Sequence, residues 1–205
     1  MKIERNKLSK IPKVNQPIDS LNDLPFIPEK PLPIHGAIYF VGSPGSGKTS
    51  TMISMLTSHP TKKNKTKPLY YYKYFDNINM ISGSLSTLPK SFTNKLPEEQ
   101  QHNKFDDDKL VDIVNGIQED ENGNNLLILD DVIRDINRSK NLSKIFLNRR
   151  HITQNSEKEG QSKFSIWVVS QKYTLLPMEF RNALTSCIIF RSCNSNEIKR
   201  IKEEL

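Results

Sequence analysis

Eight consecutive residues, Gly42-Ser43-Pro44-Gly45-Ser46-Gly47-Lys48-Thr49, follow the spacing G-x-x-x-x-G-K-[ST], which suits the gripping of a nucleoside triphosphate. The glycines let the backbone wrap the phosphates, and successive N–H groups at a helix start face an anion with the positive end of the helix dipole behind them. Lys48 is expected to reach the β- and γ-phosphates and Thr49 to hold Mg²⁺, with Ser50 the last of the binding positions. A Gly/Ser-rich turn without a ligand is the plain alternative, and the flanking sequence argues against it. Upstream, Ala37 to Val41 is a continuous apolar run, as in a strand buried on both faces of a parallel sheet. Downstream, Met52, Ile53, Met55 and Leu56 precede the first breaker, Pro60, so a helix over 47–57 is expected.

A second constellation is Asn125-Leu126-Leu127-Ile128-Leu129-Asp130-Asp131. An apolar run ending in two acids describes a buried parallel strand that delivers carboxylates to the crevice where such sheets bind ligands. Asp130 is placed to hold Mg²⁺ opposite Thr49, and Asp131 to orient or deprotonate the attacking water. Taken alone the pair is weak, because strands commonly end in turn-forming Asp; the phosphate loop upstream gives it meaning. Phe164 to Gln171 is another apolar strand with a polar end. Gln171 can donate to a γ-phosphate oxygen and accept from a water, or it can simply close a turn.

The elements that must position these residues read as one α/β domain. The chain has 205 residues, 35% of them hydrophobic, enough for a single core without a second domain. Residues 1–33 hold six prolines and read as an extended arm, with 34–205 as the globular domain. Leu21, Leu24, Phe26 and Ile27 of that arm could cover this domain or reach a neighbouring subunit. Further strands are expected at 69–75 and 186–191, a helix from 106 or 107 to about 119, and a last helix over 194–205. Residues 76–104, polar and broken by Pro89 and Pro97, read as an irregular insertion over the nucleotide or pore side. Cys187 and Cys193 lack metal-ligand spacing and read as reduced packing thiols. No apolar run approaches the length of a membrane span and the first residues form no secretory signal, so a soluble, intracellular protein is expected.

Net charge is +7, which favours a polyanionic partner. The positive charge is grouped: Lys62, Lys63, Lys65, Lys67 and Lys73 in one segment, Arg134, Arg138, Lys140, Lys144, Arg149 and Arg150 in another. Each group is either a solvated face or a contact for nucleic-acid phosphates, and only the second predicts salt-sensitive binding.

Gly42 to Thr49, Leu126 to Asp131, Arg149-Arg150-His151, Val168 to Gln171, Pro177 with Phe180-Arg181-Asn182, and Ile188 to Arg191 together resemble the genome-packaging ATPases of poxviruses, giant viruses and virophages, within the wider FtsK/HerA group of P-loop motors. The resemblance covers roughly residues 35–200. It implies a RecA-like, mostly parallel sheet flanked by helices, ATP and Mg²⁺ as ligands, a homo-oligomeric ring of five or six subunits, double-stranded DNA as cargo, a capsid or portal-vertex protein as docking partner, and residence in the virion or at the viral assembly site in host cytoplasm. It further implies that Arg150, beside His151, serves a neighbouring subunit's nucleotide, with Arg149 and Arg181 as other candidates. Read without the family, all three arginines are ordinary surface or DNA-facing charges and His151 is structural. Asp131 departs from the Glu common in cellular members and is shorter by a methylene, so its water geometry must differ or the loop must come closer.

The expected catalytic set is therefore Lys48, Asp131, Gln171, Arg150, Arg149 and Arg181. Two rivals remain at this level. A nucleotide kinase would need an arginine-rich lid, and residues 76–104 contain no arginine. A nucleotide-gated switch or scaffold would use the same loop without mechanical work, and Asp131 with Gln171 argues for hydrolysis instead.

Overall fold

A strand with no polar side chain to offer to water must be covered on both faces. Strand β1 (Ala37–Val41) meets that condition, every residue being buried. The computed structural model describes residues 31–63, 65, 70–120, 123–136, 138–152, 163–191 and 194–204. After β1 come α1 (Lys48–Thr57), β2 (Asn77–Ser82), α2 (Lys90–Thr93), β3 (Gln101–His102), α3 (Asp107–Glu119), β4 (Asn125–Asp130), α4 (Ile133–Ile136), α5 (Lys140–Asn148), β5 (Phe164–Ser170), α6 (Met178–Asn182), β6 (Ser186–Ile189) and α7 (Ser195–Glu204). The six strands form one sheet in the order β3-β2-β4-β5-β1-β6. All pairs are parallel, so every strand ends at the same edge. Because β5 lies between β1 and β4, its last residues fall between the phosphate loop and the Asp130-Asp131 pair.

Alternation along the strands builds two cores. Tyr39, Val41, Leu127, Leu129, Ile166 and Val168 face Leu110, Ile113 and Val114 of α3, Leu142 and Phe146 of α5, and Phe180 of α6. Ile38, Phe40, Ile128, Trp167 and Val169 face Met52, Ile53, Met55 and Leu56 of α1. The periodic helices start where their sequence says they should. The Asp106 carboxylate accepts from the Asp108 and Lys109 N–H groups at the head of α3, and the Ser139 hydroxyl accepts from Leu142 N–H at the head of α5. Ser139 also donates to Asp107, which takes a second bond from Asn141 at 2.8 Å, so one first-turn acid ties α3 to α5.

One strand lies elsewhere than expected. Residues 70–75 form turns, and the strand is Asn77–Ser82; residue 69 lies outside the described residues. Aromatic and β-prone side chains dominate Tyr70 to Phe75, but they serve a cluster: Tyr71 and Phe75 meet the Trp167 ring edge-on at centroid distances of 5.3 and 5.8 Å. The true strand is masked in sequence by Asn77 and Asn79; Asn77 donates to Asp120 and to Asn125. Residues 76–104 are likewise not an irregular insertion. They contain β2, α2 and β3, and their Leu88, Phe92 and Leu96 cover the α1 face of the core.

Residues 1–30, which include most of the expected arm, and Lys67 and Cys193 lie outside the described residues. Cys187 is a free thiol, half-buried, with burial pushing its pKa up to about 11. No helix among the described residues is long and apolar enough to cross a membrane.

Ser139→Ala removes an N-terminal cap and a partner of Asp107. It should lower unfolding free energy by about 1 to 2 kcal/mol in urea titrations with an unchanged slope. Asp108→Ala, at an exposed position one residue along, should stay within about 0.5 kcal/mol of the parent.

Candidate nucleotide site

Two glycines of the loop are required by backbone shape: Gly45 and Gly47 have φ of 71° and 91°, a region that side chains disfavour. Gly42 is required by contact instead, since a Cβ there would lie 2.6 Å from the Phe190 Cβ just beyond β6. Its N–H donates to the Ser170 carbonyl at 3.3 Å, so the loop leaves β1 while still anchored to β5. Gly47 caps α1 without a side-chain bond, and no acid occupies the first turn. The N–H groups there remain available to an anion, as Gly42 to Ser50 require of a phosphate cradle. Inside the loop the Ser46 hydroxyl is buried and lacks a hydrogen-bond partner, while Ser43 is partly open and Pro44 exposed.

Lys48 is 8% exposed, and its ammonium donates to the Gly42 and Ser43 carbonyls at 2.7 and 2.9 Å. Burial pulls its pKa below the usual lysine range, and the nearby carboxylates of Asp130 and Asp131 push it back up. The two ends of the constellation, distant in sequence, are therefore within electrostatic reach. Thr49 donates to Asp130 Oδ1 at 3.3 Å. Ser82, at the end of β2, donates to Asp130 Oδ2 at 3.0 Å. Asp130 is 2% exposed. Burial raises its pKa; the two hydroxyls oppose that shift, and the charge on Asp131 adds to it.

A threonine hydroxyl beside a buried carboxylate is a hard-oxygen pair of the kind Mg²⁺ takes, with room left in its shell for water and phosphate oxygens. Thr49 and Asp130 fit the ion for that reason. Among the described residues no group of three or more His, Cys, Asp or Glu gathers, so the donor set does not suit zinc.

Asp131 is exposed and adopts φ 56°, a left-handed conformation rare for a residue with a Cβ. That turn carries its side chain away from the strand, while its N–H still donates to the Val169 carbonyl at 3.2 Å. The Gln171 amide donates to Asp131 at 3.2 Å to Oδ2 and 3.4 Å to Oδ1. Lys48, Thr49, Asp130, Asp131 and Gln171 thus meet at one sheet edge.

The arginines do not join them. Arg149 is buried, donating at 3.4 Å to the His35 carbonyl and to the Thr185 hydroxyl, and burial together with Arg150 lowers its pKa to about 10. His35 and Thr185 precede β1 and β6, so Arg149 and its neighbour Arg150 sit at the opposite, amino edge of the sheet. Arg181 donates to Glu204 at 2.8 Å and to the Leu176 carbonyl, and its guanidinium stacks over Tyr173. Arg149 and Arg181 are therefore engaged inside their own chain. Arg150 is half-buried, and neither ion pair of the described residues includes it. His151 lies exposed beside it.

Sequence reasoning missed Ser82, and with it the second hydroxyl on Asp130. Its signal was the alternation Ile78, Met80 with a terminal Ser-Gly, hidden by the competing aromatic run upstream.

A six-stranded parallel sheet flanked by helices, with the loop and acids at its carboxyl edge, defines the RecA-like P-loop ATPase fold. No protein-family model and no curated protein matches the sequence. Among solved structures, B204, the DNA-packaging ATPase of Sulfolobus Turreted Icosahedral Virus, superposes with TM-score 0.53 at 16% identity, over 83% of this chain and 82% of that one. The cytoplasmic domain of EssC gives TM-score 0.51 at 16% identity, over 82% of this chain and 33% of that one, so this chain spans only a third of that structure. At such identities the likeness is one of fold.

The buried charge on Asp130 has a testable cost. A carboxyl whose folded pKa is raised favours the folded state most below its unfolded pKa, and that advantage is lost as pH rises through the folded pKa. Asp130→Asn should therefore stabilise the metal-free protein by about 1 kcal/mol near neutral pH. Thermal melts at several pH values should show the gain shrinking as the medium is acidified.

Proposed function

We propose that the chain is an ATP-hydrolysing subunit of a ring that moves double-stranded DNA into a viral capsid. The convergence of Lys48, Thr49–Asp130 and Gln171–Asp131 at one sheet edge carries the hydrolytic part of this reading. The DNA-packaging part is supported by the family resemblance of the motifs, by the fold shared with B204, and by the net charge of +7.

In this reading the loop N–H groups and Lys48 bind and orient the triphosphate. Thr49 and Asp130 would hold Mg²⁺, which would supply positive charge to offset that of the triphosphate. Asp131 accepts a proton from the attacking water. Gln171, already bonded to Asp131, holds that carboxylate in place and can exchange its donor between acid and γ-phosphate. Positive charge for the transition state comes from another subunit. Arg150 of this chain cannot serve its own phosphates, since a five-residue strand separates the two edges by about 15 Å. Arg149 and Arg181 drop out of the catalytic set because their donors are already committed.

Lys48→Ala should weaken triphosphate binding. Asp131→Asn should bind normally and lose turnover by about 10²-fold or more. Equal loss of binding in both would abolish this division of labour. Steady-state ATPase with and without long double-stranded DNA, run beside a particle-mass measurement, tests the motor: stimulation together with a ring-sized mass is expected. Phosphate passed to a small acceptor would favour a kinase.

Arg150→Ala should lower the rate of the assembled enzyme by about 10³-fold. Mixing it with Lys48→Ala subunits, which still carry Arg150, should restore part of the activity. No recovery in the mixture would exclude a role across the interface.

A further inference from the structure

At the far end of α1 from the phosphate loop, a cavity of about 400 Å³ opens between the helix, the turn at residues 71–75 and the segment around α2. Leu56, Tyr71, Phe75 and Phe92 give it an apolar and largely aromatic wall, and no carboxylate lines it among the described residues. The wall is fixed before any ligand arrives. Tyr71 is 1% exposed, and its hydroxyl donates to the Leu32 carbonyl at 2.6 Å while accepting from Leu32 N–H.

The rim is cationic. Lys73 and Lys95 hold their ammonium groups 5.7 and 6.0 Å from the centre of the same ring, Tyr72. His59 stacks on that ring at 4.1 Å, so Tyr72 is a fixed post around which the cations gather. Neither lysine takes part in either salt bridge of the described residues. Lys73 is moreover kept at φ 56°, a strained conformation for a lysine. Lys62, Lys63 and Lys65, all exposed, lie shortly before it in the chain. Two lysines outside the salt bridges, beside a cavity walled largely by aromatic rings, are complementary to an aromatic ring that carries an anion.

We propose that this cavity is a second nucleotide-recognition site, distinct from the phosphate loop, that takes one unpaired nucleotide unit, with its base in the slot and its phosphate between Lys73 and Lys95. Base insertion among aromatic side chains is tolerant of sequence, and the lysines add a salt-dependent phosphate contact. The unit could belong to a single strand or be a free nucleotide, and the experiment separates these sources.

The probe is a labelled oligothymidylate of about twenty nucleotides, followed by anisotropy on the full chain carrying Lys48→Ala, so that the phosphate loop is crippled. An abasic oligonucleotide of equal length should bind about tenfold more weakly than the oligothymidylate. Lys73→Gln with Lys95→Gln should weaken both probes and flatten the salt dependence. Thr57→Phe, which fills the slot from α1, should erase the preference for bases while leaving the salt dependence intact. Thymidine monophosphate displacing the oligonucleotide at comparable concentration assigns the site to a free nucleotide; failure to displace it assigns the site to a strand. Equal binding of the basic and abasic probes by the parent protein, or unchanged binding by the double lysine variant with an unaltered melting temperature, overturns the proposal. ATPase activity of the lysine variant without DNA should match the parent, so failure here is distinguishable from failure of the phosphate-loop reading.

Discussion

Asp130 holds a carboxylate almost out of water, and the arrangement of the sheet's carboxyl edge follows from what that requires. A buried carboxylate is unfavourable unless donors reach it. Here the donors are hydroxyls from the ends of two other elements, Thr49 on α1 and Ser82 on β2, with Lys48 close enough for its charge to count. Those residues are separated by long stretches of chain. Only a sheet whose strands all run the same way places them together, because parallel register puts each strand's last residue at a common edge. In the proposed reading a divalent cation beside Asp130 would offset the same unfavourable charge, so the group that weakens the empty protein would be the one that holds the ion.

The neighbouring Asp131 is the counterpart in a different environment. One residue further along, the backbone turns into the left-handed region and the side chain stands in solvent, held by Gln171. Adjacent acids thus acquire separate surroundings from burial and backbone turn together: Asp130 enclosed by hydroxyls, Asp131 in solvent beside an amide. β5 supplies Gln171 because it is inserted between β1 and β4, so the strand order itself decides which polar group touches the second acid.

Much of this was legible in the residues. The phosphate loop, the Asp pair, Gln171, helix α3 with its Asp106 cap, and the strands at β1, β4, β5 and β6 each announced themselves by pattern, because continuous apolar runs and helical periodicity report burial directly. What sequence could not convey was competition. Tyr70 to Phe75 has better strand chemistry than Asn77 to Ser82, yet Tyr71 and Phe75 are drawn to Trp167 and Asn77 finds partners in Asp120 and Asn125, so tertiary packing reversed the local preference. Helix α5 carries a cap and an apolar stripe at Leu142, Ile145 and Phe146 that the basic residues around it obscured. The arginines show the limit in the other direction: adjacency in sequence set Arg149 beside Arg150, but burial assigned the first to hold the amino edge together.

Gly42 has no room for even one more carbon because Phe190 lies against it, and that contact makes the end of β6 the back wall of the phosphate loop. Helix α7, beyond it, grips the stretch after Gln171 as well, with Glu197 accepting from Tyr173 N–H at 2.6 Å. The end of β6 and α7 therefore touch both the Gly42 loop and the residues just beyond Gln171. Under the proposed function, a partner that shifted α7 would act on the Gly42 loop and on the stretch after Gln171 through these two contacts.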